Sequence, residues 1–494
     1  MKKLALFSLV AVIGASAFAR IRALTPAVPD ADWTKDWWMK RHLDKVNEAK
    51  VGGSRVVFIG DSITHFWESN GAGEWYRTFN GEPYKAQNLG FSGDRTEHVL
   101  WRIANGELDG YEAKAIVLMI GTNNVGLRMG KESVIDTIAG VWRVIQAIRA
   151  KQPKARIILH PIFPCGEKPN DYRRVHNEKV NKELRKFADG RKVIWIDFND
   201  AFLEPDGTLP AEVMSDFLHP CAYGYEVWAA AVKPAIDWAL AAKENDFYPN
   251  RYPSALRKGM MSGEKRGALR TCSCIGEKHS WDPGPNWWLE RLVQKQEEIH
   301  ALPNGEVDIV FVGDSITHNW EGARGPGSDP GGKRLAEFRK TYSVLGLGFG
   351  GDGTEQVLWR LSNGELDGYR TKCVMLMVGT NNEGKPEETA AGIRAILDLI
   401  AKKQPQAKTL LLSIFPSGEK PDHPWRVRNK AVNALIRKYA GGDKVVWCDF
   451  GAKFLQPDGT ISKDMMGDFL HPKEPGYDIW ADAVAPYFKE AVGR

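Results

Sequence analysis

At 494 residues the chain exceeds what one compact core accommodates, so two or three domains are expected. With 43% hydrophobic and 26% charged residues it reads as a folded globular protein, which excludes a disordered chain and a membrane bundle. A net charge of +5 over this length is too weak to indicate nucleic acid, and much of the basic excess sits in residues 251–270.

The chain opens with a positive pair, Lys2 and Lys3, followed by an apolar run over residues 4–13 that is too short for a stable membrane anchor. Ala17-Phe18-Ala19 then supplies a small-x-small cleavage site, so residues 1–19 read as a signal peptide cut near Ala19. The expected location is secreted or periplasmic, with no integral membrane span after cleavage. No cysteine follows the cleavage site, so a lipoprotein anchor is not suggested. The alternative is an N-terminal core helix.

Next comes VVFIGDSITHFW (residues 56–67), a β-branched run that reads as a buried parallel strand ending at Gly-Asp-Ser, where a strand hands over to a helix. Nearly the same string returns as VDIVFVGDSITHNW (residues 307–320). The repetition continues in order. NLGFSGDRTEHVLWRIANG (88–106) matches GLGFGGDGTEQVLWRLSNG (346–364), and AIVLMIGTNN (115–124) matches CVMLMVGTNN (373–382). Ile162-Phe163-Pro164 matches Ile414-Phe415-Pro416, residues 193–198 match 445–450, and Asp216-Phe217-Leu218-His219 matches Asp468-Phe469-Leu470-His471. Trp37-Trp38 and Trp287-Trp288 open a helical segment before each first strand.

Amphipathic stretches over residues 134–150 and 387–403 lie between these runs, and strands alternating with helices predict a parallel sheet covered on both faces. The chain is therefore read as α/β, two tandem three-layer α/β/α domains with about five parallel strands each. The boundaries drawn are 25–245 for the first domain, 246–280 for a linker rich in Pro, Gly, Ser and charge, and 281–494 for the second. The copies differ in loops: Ser62 to Gly93 spans 31 residues and Ser315 to Gly351 spans 36, because of the Gly-Pro-rich insert over residues 322–332. Such differences beside intact motifs suggest two related substrates, or one bound in two ways.

Each copy holds the parts that ester hydrolysis requires. Ser62 and Ser315, at the carboxyl edge of a sheet, are the candidate nucleophiles. His219 and His471 are the candidate bases, oriented by Asp216 and Asp468 three residues earlier. Oxyanion donors would be the serine backbone N–H, the backbone N–H of Gly93 or Gly351, and the side-chain amide of Asn123 or Asn381. Each motif alone is weak, since Gly-Asp-Ser and Gly-Thr-Asn-Asn are usually turns and caps. Four such blocks in one order, twice, carry the inference.

These blocks resemble those of the GDSL or SGNH hydrolase family. The string from Gly350 to Tyr369, followed by MLMVGTNN, is similar to the branch holding platelet-activating-factor acetylhydrolase catalytic subunits and bacterial acetylesterases. The resemblance implies SGNH-hydrolase-like domains, with Ser62, Gly93, Asn123, Asp216 and His219 in the family roles in copy one. Ser315, Gly351, Asn381, Asp468 and His471 take them in copy two. Copy one departs in having Ser92 where copy two has Gly350, which removes no donor.

Other features have competing readings. Residues 346–351 fit the dinucleotide fingerprint G-x-G-x-x-G, but copy one lacks its first glycine and no acidic residue follows at the required place, so no cofactor is expected. No metal site is expected either. Cys165 and Cys221 occur only in copy one, facing Ser417 and Lys473 in copy two. They suggest a disulfide near the first site, or two free thiols. Cys272 and Cys274 lie in the linker. Trp67 and Trp320 could stack on a substrate or pack a helix on the sheet. His65 and His318 are read as structural, Arg102, Arg360, Arg174 and Arg426 as braces for loop carbonyls, and Met375 and Met377 as core.

The leading expectation is an exported ester hydrolase that removes small acyl groups, acetyl foremost, from carbohydrate, with both copies active. A phospholipid or platelet-activating-factor-like acylhydrolase is the second reading. A pair of carbohydrate-binding modules with incidental catalysis is the third. The expected partner is an acylated carbohydrate or another small-acyl ester.

Overall fold

In the computed structural model, which describes residues 21–126, 132–249, 287–322 and 330–493, the apolar runs form two five-stranded sheets. Residues 1–20, which include the segment read as a signal peptide, and residues 250–286, which include Cys272 and Cys274, lie outside the described residues. The first sheet holds β1 (Val56–Gly60), β2 (Ala86–Gly90), β3 (Ala115–Met119), β4 (Arg156–Leu159) and β5 (Val193–Trp195), in the order β2-β1-β3-β4-β5. The second holds β6 (Glu306–Gly313), β7 (Val344–Gly348), β8 (Arg370–Met377), β9 (Lys408–Leu412) and β10 (Val445–Cys448), in the equivalent order β7-β6-β8-β9-β10. Every pairing between these strands is parallel.

The helices of the first copy are α1 (Trp38–Val51), α2 (Ser62–His65), α3 (Ala72–Thr78), α4 (Thr96–Ala104), α5 (Thr122–Gly126), α6 (Val134–Lys151), α7 (Tyr172–Leu184) and α8 (Ala222–Ala241). Those of the second are α9 (Trp287–His300), α10 (Ser315–His318), α11 (Gly332–Arg339), α12 (Thr354–Arg360), α13 (Pro386–Lys403), α14 (Pro424–Ile436) and α15 (Glu474–Val492).

Each central strand is buried on both faces, which is why it reads as an unbroken apolar run. Val57 and Ile59 of β1 pack with α4, α6 and α7, whereas Val56 and Phe58 pack with α3 and α8. In β6, Val310 and Val312 divide from Ile309 and Phe311 in the same way. The two copies are thus three-layer α/β/α domains. Helix α6 starts at a capping box: Ser133 Oγ accepts from the Asp136 N–H, and Asp136 accepts from the Ser133 N–H, both at 3.1 Å.

The topology decides where chemistry can sit. From β1 the chain moves to β2 on one side, then crosses to β3 on the other, opening a crevice at the carboxyl end of β1. Ser62 and Ser315 stand there, each two residues beyond its strand.

Two expectations are corrected. Cys165 and Cys221 are free thiols rather than a disulfide, because they face different partners. Cys165 Sγ accepts from Asn177 Nδ2 at 3.4 Å, while Cys221 Sγ donates to the Glu212 carbonyl at 2.7 Å. Trp67 and Trp320 are 0% and 1% exposed, so the stacking alternative fails and both indoles fill the core between sheet and helix.

Candidate active sites

The turn that presents Ser62 is sterically tight. A Cβ on Gly60 would lie 2.1 Å from Thr64 Oγ1 and 2.5 Å from the Met119 carbonyl, and one on Gly90 would lie 2.1 Å from the His65 nitrogen. Glycine at both places lets the first turn of α2 tuck against β2. Asp61, wholly buried, caps that turn by accepting from the Ile63 N–H at 3.0 Å; burial pushes its carboxyl up to about 7. Asp314 repeats the contact with Ile316 at 3.0 Å and is likewise pushed up to about 7.

From the far end of the domain a loop brings the histidine to the serine. His219 Nε2 lies 2.8 Å from Ser62 Oγ, and His219 Nδ1 lies 2.6 Å from Asp216 Oδ2. In the second copy His471 sits 2.8 Å from Ser315 Oγ and 2.7 Å from Asp468 Oδ2. The aspartate does more than touch the ring. Asp216 Oδ1 accepts from the backbone N–H of Leu218 and of His219 itself, at 3.0 and 2.8 Å, so it also shapes the turn. Asp468 does the same at 3.1 and 2.8 Å. Partial burial alone would raise these carboxyls, but the bonds from the histidine side chain and backbone hold both below the usual carboxylate range.

The donors expected at the oxyanion position come from two further strand ends. Gly93 and Gly351 adopt φ of 78° and 77°, a conformation that glycine takes without strain. Asn123 Nδ2 donates to the Asp94 carbonyl at 3.1 Å, and Asn381 Nδ2 to the Asp352 carbonyl at 3.0 Å, which ties the amide to the residue after the glycine. The structure therefore gathers, in each copy, serine, histidine and aspartate in one relay and glycine and asparagine in one adjoining block.

That block is held from behind by groups the sequence reading left as braces or passed over. Asp94 accepts from Trp38 Nε1 at 2.6 Å and from Arg102 Nε at 2.8 Å. Arg102, fully buried, also pairs with Glu107 and lies over the Phe91 ring at 4.0 Å. Copy two repeats this with Trp288, Asp352, Arg360, Glu365 and Phe349. It differs at one point: His42 Nδ1 sits 2.8 Å from Glu107, whereas Leu292 holds the matching position, and Glu365 Oε1 has no hydrogen-bond partner among the described residues. The second Asn of Gly-Thr-Asn-Asn also works: Asn124 Oδ1 accepts from the Thr96 N–H and Asn382 Oδ1 from the Thr354 N–H, each at 3.1 Å, fixing the start of α4 and of α12.

Arg174 and Arg426 meet loop carbonyls. Arg174 donates to the carbonyls of Cys165 (3.3 Å), Gly166 and Gly207, and Arg426 to those of Ser417 (3.4 Å), Gly418 and Gly459 (2.6 Å). His65 and His318 lie behind the serine. His65 Nδ1 reaches Ser92 Oγ at 3.0 Å, while His318 Nδ1 faces the glycine side of the equivalent turn without a hydrogen-bond partner among the described residues. Burial pushes His65 down to about 4 and His318 to about 2, so both are neutral at physiological pH.

A nucleophile-base-carboxylate relay at the carboxyl edge of a parallel sheet, with donors beside it, defines the class: a carboxylic ester hydrolase. The chain belongs to the GDSL-like lipase/acylhydrolase family, whose model matches residues 58–227 and again 311–479. Over 177 residues it is 40% identical to platelet-activating factor acetylhydrolase IB subunit alpha1 of Homo sapiens, covering 35% of this chain and 71% of that one. Over 195 residues it is 37% identical to the alpha2 subunit of Rattus norvegicus, covering 38% and 79%. Among solved structures, an acetylxylan esterase from Geobacillus stearothermophilus is similar at 20% identity and a TM-score of 0.32, covering 38% of this chain and 96% of that one.

Proposed function

We propose that the chain is an exported esterase that removes small acyl groups, acetyl foremost, from carbohydrate, and that both copies are active. The observation that carries this reading is the duplication of the whole relay, with Ser–His contacts of 2.8 Å in each copy. In the first half-reaction Ser62 Oγ attacks the acyl carbonyl while His219 Nε2 takes its proton. Asp216 holds the Nδ1–H and stabilises the imidazolium. The backbone N–H groups of Ser62 and Gly93 and the Asn123 amide receive the oxyanion. The alcohol leaves with the proton from Nε2, water then attacks the acyl-serine through the same base, and the acid is released. Ser315, His471, Asp468, Gly351 and Asn381 take the corresponding roles in copy two.

Two relays on one chain suit a polymer carrying many esters, since a chain held at one site is presented to the other at raised effective concentration. Export follows from the reading of residues 1–19 and is tested by N-terminal sequencing of the protein recovered outside the cytoplasm, where a start near Arg20 is expected. No helix among the described residues is long and apolar enough to cross a membrane.

The functional test is initial rates on p-nitrophenyl acetate and butyrate for the wild type, Ser62→Ala, Ser315→Ala and the double variant, then acetate release from acetylated xylan and pectin. Partial activity in each single variant and none in the double supports two working sites. An undiminished double variant rejects the nucleophile assignment and favours the binding-module reading. The 40% identity to platelet-activating-factor acetylhydrolase subunits keeps an alkyl acetyl-phospholipid as the second candidate, so platelet-activating factor belongs in the same panel.

A further inference from the structure

Ahead of α1 the chain makes a single 3₁₀ turn, Asp32–Thr34, closed by Thr34 Oγ1 donating to the Ala31 carbonyl at 2.5 Å. This turn carries Trp33 to the oxyanion glycine. A Cβ built on Gly93 would lie 2.4 Å from Trp33 Cη2 and 2.6 Å from Cζ2, so the six-membered edge of the indole rests against the Gly93 main chain. Trp37 supports the ring from behind. The two indoles are stacked at 6.0 Å and 24°, and Trp37 Nε1 donates to the Trp33 carbonyl at 3.0 Å. Trp37 itself packs on His65 and Phe91, at 5.8 and 6.5 Å between ring centroids. The indole is thus braced through to the turn behind the nucleophile.

Trp33 nevertheless keeps 53% of its surface exposed. An aromatic ring of this size left in water, but anchored beside the atom expected to bind the oxyanion, is placed to contact whatever carries the ester. Sugar rings suit such a surface, because the C–H bonds on their flatter faces carry slight positive charge and meet the negative face of an indole. The second copy differs here in sequence: four residues before Trp287 stands Pro283, with a tryptophan, Trp281, two positions further back. Phe66, whose ring lies 4.9 Å from that of His219, is replaced by Asn319.

Resting on the esterase reading above, we infer that Trp33 is a specificity-determining residue of the first copy, stacking on the sugar ring that bears the scissile acetyl group. The test uses full-length Ser315→Ala protein, so that only copy one can turn over, and compares peracetylated methyl xyloside and methyl glucoside with ethyl acetate, which has no ring. The readout is the ratio of kcat/KM on each sugar ester to that on ethyl acetate. Trp33→Ala is expected to lower this ratio about tenfold, mainly through KM, and Trp33→Tyr to restore most of it, since tyrosine keeps a stacking face. A ratio unchanged in Trp33→Ala, or one that tyrosine does not restore, overturns the proposal. Ethyl acetate hydrolysis by Ser315→Ala that survives Ser62→Ala would instead remove the catalytic reading, and this proposal with it.

Discussion

Asp216 performs two tasks with one carboxylate: Oδ2 meets the imidazole at 2.6 Å, and Oδ1 ties down the two backbone N–H groups that set the ring's position. Because those bonds hold its carboxyl below the usual range, it stays ionised throughout ordinary assay conditions and does not set the acid limb of activity. In a Ser315→Ala background, Asp216→Asn keeps the shape and removes the charge. The expected loss in kcat is roughly 100- to 10,000-fold, toward the lower end because the side chain is half exposed. Steady-state kinetics on p-nitrophenyl acetate check this. The residues of the relay could be placed from sequence because ester chemistry demands those residue types, a serine at a strand end and an Asp-x-x-His late in each copy, in an order that occurs twice. Trp33 could not: a single tryptophan in a loop has no periodicity, and its neighbour Gly93 is 60 positions away. Trp67 was ambiguous for the same reason, and only its complete burial assigns it to the core.

Among the elements, the loop carrying the base depends on a neighbour that never touches it. The Gly166 N–H donates to the Phe217 carbonyl at 2.8 Å, and Phe217, with φ of 56°, is a non-glycine residue in the left-handed region two positions before His219. Arg174, buried, fixes Gly166 and Gly207 on either side. Arg426, Gly418 and Phe469 (φ 59°) repeat the arrangement. Lysine in place of Arg174 retains a charge but lacks the planar fork that reaches three carbonyls. Arg174→Lys, again with Ser315→Ala, is therefore expected to lose ~10–100-fold in kcat with little change in KM, as a slightly misplaced base would. A parallel thermal melt separates this from global unfolding, and equal losses in kcat and folded fraction would reject it. The strands themselves were legible as β-branched runs bounded by Gly and Asp. The coupling of residues 164–166 to 216–219 was not, because it is made by main-chain bonds that carry no residue signature. The same blindness applied to Cys165 and Cys221, whose shared absence from copy two suggested a bond that their separate partners preclude.

At the scale of the molecule the two copies meet where α9 and the turn at Gly364 of the second pack against α6 of the first. Leu289, Leu292 and Val293 of α9 share an apolar cluster with α6 of the first copy, and His300 Nε2 lies 3.3 Å from Asp136 Oδ2. The matching positions of Leu289 and Val293 on α1 are Met39 and Leu43, 39% and 55% exposed, as expected where no partner covers them. On α13 the counterparts of Ile135, Asp136 and Trp142 are Glu387, Glu388 and Arg394, all exposed. Those charges oppose a repeat of the same contact on the second copy's helix. The repeat was plain in the sequence, but this asymmetry was hidden in substitutions that look like ordinary surface drift.

Val293→Asp places a charge in the shared cluster and is expected to split a single calorimetric unfolding transition into two, while p-nitrophenyl acetate hydrolysis at 25 °C continues. The ion pair adds a pH signature. Its hydrogen bond to Asp136, aided by the charge of Glu132, raises His300 above the ordinary histidine value of about 6.5, against the effect of burial. A group raised in the folded state contributes its full stabilisation below the unfolded value and loses it as pH climbs through the folded one. Coupling between the copies should therefore be strongest below about pH 6.5 and weaken as pH rises beyond it. Melting across pH 5 to 9 is expected to show the transition broadening or separating toward alkaline pH in the wild type. In His300→Ala that dependence should be gone; its persistence would mean that other titrating groups hold the copies together.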